Sequence, residues 1–268
     1  MKIYIVADME GIAGVVSAEQ ISNTSDWETE PSRKQLTDEV CAVCAGALES
    51  GVTEIYINDF HGNGRNIIAD KLPHQAMLIR GDFRPTSGFD LLDESFAGLV
   101  FLGAHARTGS WASVIPHTYS EKVYFEIFGQ PIGEFDLLSL LAGEHKIPTV
   151  LIAGDAKTVE QAKTNLPSTQ MVVTKYALSH NSAVCVHPKK VCLDLKSKIK
   201  LAIKNIPANE PPAIVPPIQL TIKLTSIKMV EKVIWIPGLK RVNETVFEFF
   251  GDNMRQIAQL IYGITILT

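Results

Sequence analysis

Short apolar runs alternate with helix-like segments across the first two thirds of this chain of 268 residues. The apolar runs lie at 3–7, 54–59, 76–82, 98–105, 149–155 and 170–176, and the helical patterns near 32–50, 133–145 and 188–205. A run that is apolar throughout is typical of a strand buried on both faces, as in a parallel sheet covered by helices. The pattern therefore predicts an α/β fold with a mostly parallel central sheet flanked by helices.

The composition of the chain changes at PANEPPAIVPP, which contains five prolines in eleven residues. Proline removes a backbone donor and fixes its own φ, so neither a helix nor a central strand can run through this segment. We interpret residues 207–217 as a semi-rigid linker. It would join an α/β unit at 1–206, which holds the candidate ligands described below, to a small C-terminal α+β unit at 218–268.

Charge and hydropathy exclude several classes of partner. The net charge is −4, and no run of lysine and arginine is present that would follow a phosphate backbone, so we expect no nucleic-acid partner. No stretch approaches the roughly 18 apolar residues of a membrane span, and the first apolar run stops at Asp8, well short of a secretion signal. We therefore expect no membrane partner and a cytoplasmic location.

Cys41 and Cys44 have the C-x2-C spacing of some zinc sites. They lie, however, inside a helical pattern that Gly51 ends, and we interpret them as small core-facing residues of that helix. The four cysteines of the chain do not indicate disulfides.

Several of the apolar runs are followed by a polar side chain that could bind a ligand. These side chains are Asp8, Asp59, His61, Asp82, His105 and Asp155. Ligand sites in open α/β sheets form at the carboxyl ends of the strands. The six side chains would therefore converge on one crevice.

Asp8 and Glu10 would lie on the same side of an extended backbone, because side chains alternate along it with a period of two. Two carboxylates that point the same way repel each other unless a cation neutralises them. The alternative is that one of them caps the N-terminus of a following helix. His61, His105 and Glu134, at the start of a helix, favour the metal, since imidazoles and carboxylates together suit Zn²⁺ or a two-metal site.

Seven motifs, in order, resemble the D-aminopeptidase family of zinc peptidases. They are DMEGIAG, INDFHGNGRN, LIRGD, VFLGAHAR, HTYS, PIGEFDLLSLLAGEHKIPTVLIAGD and TKYALSHNSAVCVHP. The similarity extends from residue 1 to about 190 and is more diffuse through the C-terminal segment. It implies a dinuclear zinc centre, two ions per chain, held by Asp8, Glu10, His61, His105 and Glu134, with Asp8 bridging. These are the same five residues that the strand ends indicate.

The resemblance also implies roles for residues outside the metal set. The catalytic histidine of the family falls on His117, for which the alternative is a loop histidine that binds a backbone carbonyl. Lys175 and Ser182 match the family and are predicted to bind substrate, although a lysine after a strand is also a common solvated end. The loop at 107–120, which contains Trp111, departs from the family pattern and leaves the substrate pocket and the D- or L-specificity open.

The resemblance implies a zinc-dependent aminopeptidase that hydrolyses the N-terminal peptide bond of short peptides with a metal-activated water. D-amino-acid-containing peptides are among the candidate substrates, and the ring-shaped decamers of the family imply a homodecamer. Two alternatives stay open, a metal-dependent phosphohydrolase and a zinc-binding module without turnover. The chain contains no glycine-rich G-x4-G-K-[ST] loop, which disfavours the phosphate alternative.

Overall fold

The structure is a computed structural model that describes residues 1–22, 26–82, 84 and 88–268. In this part of the chain the strands are β1 (Lys2–Ala7), β2 (Glu54–Asp59), β3 (Ala76–Ile79), β4 (Gly98–Ala104), β5 (Val123–Ile127), β6 (Gln130–Ile132), β7 (Thr149–Asp155), β8 (Gln170–Ser179), β9 (Ser182–Cys185), β10 (Ile218–Leu224), β11 (Lys240–Arg241) and β12 (Val246–Gly251). The α-helices are α1 (Asp26–Leu48), α2 (Glu134–Glu144), α3 (Ala156–Asn165), α4 (Pro188–Asn205), α5 (Ile227–Val233) and α6 (Met254–Leu267). Within the described residues, none of these helices combines the length and hydropathy needed to cross a membrane.

The central sheet contains seven strands in the order β3-β2-β1-β4-β7-β8-β9. All neighbours pair in parallel except β9, which runs antiparallel to β8 at the edge. The prediction of an α/β fold with a mostly parallel sheet is confirmed. The strand order reverses around β1, with β2 on one side and β4 on the other, and a crevice at the carboxyl ends of the strands forms at such a point.

Helices cover both faces of the central sheet. On one face α1 and α4 pack over the strands, and side chains such as Val40 and Leu195 are fully buried there with Ile5. Cys44 is buried in this layer and Cys41 is partly exposed, as expected for helix residues that face the core. On the other face Leu137 of α2 joins a second buried cluster.

A second sheet lies beside the first and has the order β11-β12-β10-β5-β6, with antiparallel neighbours. Its central strand β10 comes from the C-terminal segment and pairs with β5, so that Ile222 lies opposite Phe125. Both side chains belong to the same buried cluster as Leu137 and Ile261 of α6. The two units predicted on either side of residues 207–217 therefore share a sheet and a core, and the division between them stays a prediction.

Candidate metal centre

Five candidate ligands meet at the carboxyl edge of the central sheet. Asp8 follows β1 directly, His105 follows β4 directly, and His61 comes two residues after β2. Parallel pairing aligns these strand ends, because Ala7 of β1 lies opposite Asp59 of β2 and Leu102 of β4. The remaining ligands are Glu10, two residues beyond Asp8, and Glu134, the first residue of α2.

Two glycines let the chain after β1 lie directly against the end of β4. The Gly11 amide donates to the Gly103 carbonyl at 2.8 Å. A Cβ atom at Gly11 would lie 2.0 Å from the Ala104 carbonyl oxygen, and one at Gly103, where φ is +68°, would lie 1.9 Å from the Asp8 carbonyl oxygen. Since only glycine permits this approach, both positions help to bring Asp8 and Glu10 towards His105.

The imidazole of His61 faces two carboxylates with one nitrogen. Its Nδ1 atom lies 3.1 Å from Oδ1 of Asp8 and 3.0 Å from Oε2 of Glu10. His105 occupies the other side of Asp8, with its Nε2 atom 3.6 Å from Asp8 Oδ2 and 3.4 Å from Glu134 Oε1. The two oxygens of Asp8 therefore face two different histidines.

His117 reaches the same cluster from the loop between β4 and β5. Its Nε2 atom lies 3.7 Å from Glu10 Oε1 and 3.9 Å from Glu134 Oε1. The Glu134 carboxylate is itself oriented by the backbone amide of Tyr119, which donates to Oε1 at 2.6 Å. His117 thus lies beside the carboxylates of Glu10 and Glu134.

Each of the three histidines uses its second ring nitrogen in a hydrogen bond to a backbone carbonyl. The distances are 3.0 Å from His61 Nε2 to the Ile21 oxygen, 3.2 Å from His105 Nδ1 to the Ala106 oxygen and 2.9 Å from His117 Nδ1 to the Ile115 oxygen. A carbonyl can only accept, so this nitrogen carries the proton and the nitrogen that faces the carboxylates keeps its lone pair in the neutral ring. Metal-ligating histidines show the same arrangement.

The negative charges of the cluster are not balanced by neighbouring positive side chains of the described residues. Asp8, Glu10 and Glu134 are all buried, and the buried Nε2 atom of His105 has no hydrogen-bond partner. Burial raises the pKa of Asp8, and the charge of Glu10 raises it further. Burial lowers the pKa of His105, but the carboxylates of Glu134, Glu10 and Asp8 outweigh it and raise this pKa to about 10. The raised pKa values of Asp8 and His105 show that negative charge is in excess at this cluster, and a bound cation would neutralise it.

Within the described residues, two overlapping groups of donor atoms could hold an ion, both of which include His105 and neither of which includes His61. One group consists of Asp8, Glu10 and His105, and the other of His105, His117 and Glu134. In each group the donor atoms lie within 4.8 Å of one another. Imidazole nitrogens mixed with carboxylate oxygens suit Zn²⁺, so the residues present fit the predicted metal.

Two strand-end aspartates that we expected in the crevice have structural roles instead. Asp59 accepts hydrogen bonds from the backbone amides of Asn66, at 2.7 Å, and Ile67, at 2.9 Å, and so holds the loop that contains His61. Asp155 caps α3 by accepting from the amide of Thr158 at 2.8 Å. Their carboxylates are occupied by backbone donors.

Lys175 and Ser182, which are predicted to bind substrate, are not among the described residues that line the cavity. Lys175 is fully buried, burial lowers its pKa to about 8, and its Nζ atom donates to the carbonyls of Glu10 and Val15. Ser182 is exposed on β9, where its hydroxyl pairs with that of Ser179 at 2.7 Å.

A cavity of about 270 Å³ opens onto the cluster. The residues that line it are Asp8, Glu10, Phe60, His61, Gly62, Asp82, Arg84, Gly88, His117, Tyr119, Glu134 and Tyr262. The sequence offered no signal for Tyr262, which comes from α6 and packs its ring against Tyr119 with the centroids 6.2 Å apart. The C-terminal segment therefore contributes directly to the site.

Comparisons with known proteins agree on one family. The model of the D-aminopeptidase family (peptidase M55) matches residues 1–262. A D-aminopeptidase of Bacillus subtilis (strain 168) is 31% identical to this chain over 269 residues, which cover 99% of this chain and 97% of the relative. The solved structure of the Zn-dependent D-aminopeptidase DppA from Bacillus subtilis, described as a self-compartmentalizing protease, superimposes with a TM-score of 0.96 at 30% identity and covers 100% of this chain and 97% of that one.

Proposed function

We propose, since this chain belongs to the D-aminopeptidase family, that two zinc ions at this cluster let it cleave the N-terminal residue from short peptides. Membership of the family makes the protein a zinc aminopeptidase. The observation that carries the rest of the proposal is the convergence of three imidazoles and three carboxylates. Each imidazole donates the N–H of one ring nitrogen to a backbone carbonyl, so that in the neutral ring the lone pair of the other nitrogen faces the carboxylates.

Asp8, Glu10, His61, His105 and Glu134 would hold the two ions. Asp8 is suited to lie between them, because its Oδ1 faces His61 and its Oδ2 faces His105. Zinc bound here would act as a Lewis acid and lower the pKa of a bound water molecule to about 7, so that a hydroxide nucleophile would be available near neutral pH.

His117 is the residue that we assign to proton movement. Its Nδ1–H is held by the Ile115 carbonyl, so the ring is fixed and Nε2 faces the cavity. From there Nε2 can take a proton from the attacking water and deliver it to the leaving amine nitrogen, or donate to the developing oxyanion. A zinc ion at this cluster would also bind the neutral α-amine of the peptide and so favour cleavage at the amino terminus.

The size of the cavity supports a short substrate. Its volume of about 270 Å³ is below the range of roughly 300–1,000 Å³ that is usual for drug-sized ligands. The aromatic rings of Phe60, Tyr119 and Tyr262 offer apolar contact to a side chain, while Asp82 and Arg84 add charged side chains to the lining. Such a lining fits a peptide of a few residues with charged ends.

We extend the proposal to assembly and location, namely a homodecamer in the cytoplasm. The support for assembly is the description of the similar solved structure as a self-compartmentalizing protease. Exposed apolar side chains at the edge of the central sheet, including Tyr176, Leu178 and Val184, form the kind of surface that subunit contacts bury. Light scattering should give a mass of ten times the 29.4 kDa of one chain, and a monomer in solution would contradict this part.

The experiment that tests the function compares peptides that differ only at the amino terminus and adds a phosphate ester as a second class of substrate. Short peptides with a free amino terminus, the same peptides N-acetylated, and a generic phosphate ester are each assayed with zinc and with a chelator. We expect zinc-dependent turnover of the free peptides only, and D- and L-residues at the first position will define the specificity. Turnover of the phosphate ester alone would favour a phosphohydrolase, and zinc binding without any turnover would favour a binding module.

A further inference from the structure

Side chains from β8 and α1 hold the backbone of the loop at 8–15, which contains both Asp8 and Glu10. The Nζ atom of Lys175 donates to the carbonyls of Glu10 and Val15. The hydroxyl of Thr174 donates to the Gly11 carbonyl at 2.6 Å. Two consecutive carbonyls, those of residues 10 and 11, are thus fixed by two consecutive residues of β8.

A third contact comes from the opposite side of the loop. The Oε1 atom of Glu39 on α1 accepts a hydrogen bond from the Ala13 amide at 2.9 Å. Gln35 orients the same oxygen with its side-chain amide, also at 2.9 Å. The loop is therefore held from both the sheet and the helix, with the contacts of Thr174 and Lys175 lying nearest to Glu10.

An irregularity in the sheet makes the double contact by Thr174 and Lys175 geometrically allowed. Neighbouring side chains of a regular strand point to opposite faces of the sheet. Here the register between β7 and β8 shifts, since Val173 lies opposite Gly154 whereas Lys175 lies opposite Asp155, so Thr174 is the extra residue. A bulge of this kind redirects side chains, and such bulges are frequent beside active sites.

The burial of these two residues favours a role through the loop over direct contact with a substrate. Thr174 and Lys175 are both 0% exposed. An ammonium group is costly to bury unless it is hydrogen-bonded, and within the described residues the Lys175 ammonium donates to two carbonyls of the loop, those of Glu10 and Val15. An apolar residue could occupy this position without the cost of burying a charge. The hydrogen bonds to the two carbonyls offset that cost for the lysine.

We propose that Thr174 and Lys175 are positioning residues for the metal centre, which fix the backbone at Glu10 and thereby aim its carboxylate at His61 and His117. This inference rests on the proposed function, because it takes the Glu10 carboxylate as a ligand of zinc. Outer contacts of this type typically change metal affinity or activity by about 10- to 100-fold when they are removed.

A matched pair of threonines separates positioning from general stability. Thr169, just before β8, is also buried and donates its hydroxyl to a backbone carbonyl, that of Thr149, at 2.7 Å. Thr174→Val and Thr169→Val each remove one such hydrogen bond, the first against the metal loop and the second at the far end of the strand. Zinc affinity is measured by competition with a chromogenic chelator, and stability by urea unfolding of the zinc-free protein.

We expect similar urea midpoints for the two variants but zinc affinity at least about 10-fold weaker for Thr174→Val only. Turnover by Thr174→Val at saturating zinc should show a lower kcat with an unchanged KM. Lys175→Met should behave like Thr174→Val, and because a buried lysine is harder to replace, the threonine pair decides the outcome if that variant does not fold.

Two results would overturn the inference in distinguishable ways. If the wild-type protein binds zinc and the two threonine variants bind it as tightly as wild type, the positioning role is wrong and the proposed function stands. If the wild-type protein binds no zinc, the proposed function fails and the inference fails with it.

Discussion

The imidazole rings of His105 and His117 are stacked, with their centroids 3.9 Å apart and their planes within 5° of parallel. Both direct Nε2 towards the same oxygen of Glu134, at 3.4 Å for His105 and 3.9 Å for His117. The His105 side chain is 2% exposed and the His117 side chain 19% exposed. The inner ring is thus placed as a ligand and the outer ring as a group that can exchange protons with a substrate.

This arrangement predicts that His117→Ala folds and keeps its zinc but loses about 10²- to 10⁴-fold in kcat, the usual range for one acid/base group or oxyanion donor. Metal analysis and steady-state kinetics of the purified variant provide the measurement. His180→Ala is the control, since that histidine is exposed and pairs with Glu121, and it should match wild type. Loss of one zinc ion from the His117 variant would instead identify His117 as a ligand.

Asp8→Ala should be the most damaging change at the metal centre. A bridging carboxylate serves both ions, and its removal leaves their charges unshielded from each other. We therefore expect zinc content to fall at both positions in Asp8→Ala, whereas Glu10→Gln should weaken one position only. Elemental analysis after dialysis distinguishes the two, and a folded Asp8→Ala protein with full zinc content would contradict the bridging role.

The strands that build the site could be predicted from the sequence for a simple physical reason. The stretches at 3–7, 98–104 and 150–154 are apolar because helices cover both faces of the sheet. Parallel strands place the residues that follow them at one edge of the sheet. The positions of Asp8 and His105 directly after apolar runs therefore sufficed to predict them as ligands.

Other features depend on contacts that are distant in the sequence. The pairing of β5 with β10 joins residues 93 to 101 positions apart, and it anchors the C-terminal segment from which α6 brings Tyr262 to the cavity. Asp155 illustrates a different error, because it follows an apolar run just as Asp8 does. Asp155 caps α3, a helix that was not among the predicted ones, whereas no helix begins directly after Asp8.

The buried carboxyl group of Glu39 should make the free energy of unfolding depend on pH. Burial raises its pKa to about 7, above its ordinary value of 4.5, so the folded state binds the proton more tightly than the unfolded state. Its contribution to stability is complete below pH 4.5 and is lost as the pH rises towards 7. The difference corresponds to about 3 kcal/mol.

Glu39→Gln removes this titration and keeps an acceptor for the Ala13 amide. Relative to wild type, the variant should therefore gain free energy of unfolding between pH 5 and pH 8, by up to about 3 kcal/mol. Urea unfolding of the zinc-free proteins at the two pH values measures it, with the exposed Glu54→Gln as control. An equal difference between variant and wild type at both pH values would refute the assignment.

Tyr262 should affect substrate binding rather than metal binding. Its ring forms an edge-on contact with Tyr119 at the cavity, and such pairs contribute about 0.5–1.5 kcal/mol. Tyr262→Ala should therefore raise KM for short peptides by roughly 2- to 10-fold at unchanged zinc content, whereas Tyr262→Phe should stay close to wild type. Steady-state kinetics with wild-type KM in the alanine variant would remove Tyr262 from the substrate site.

The central claim is that two zinc ions at this cluster make the protein an aminopeptidase. Stepwise addition of zinc to the chelator-treated protein, with hydrolysis of a short peptide with a free amino terminus as the readout, tests it most directly. We expect no activity without zinc and a plateau at about two ions per chain. Full activity in the metal-free protein, or a plateau at one ion per chain, would contradict the account.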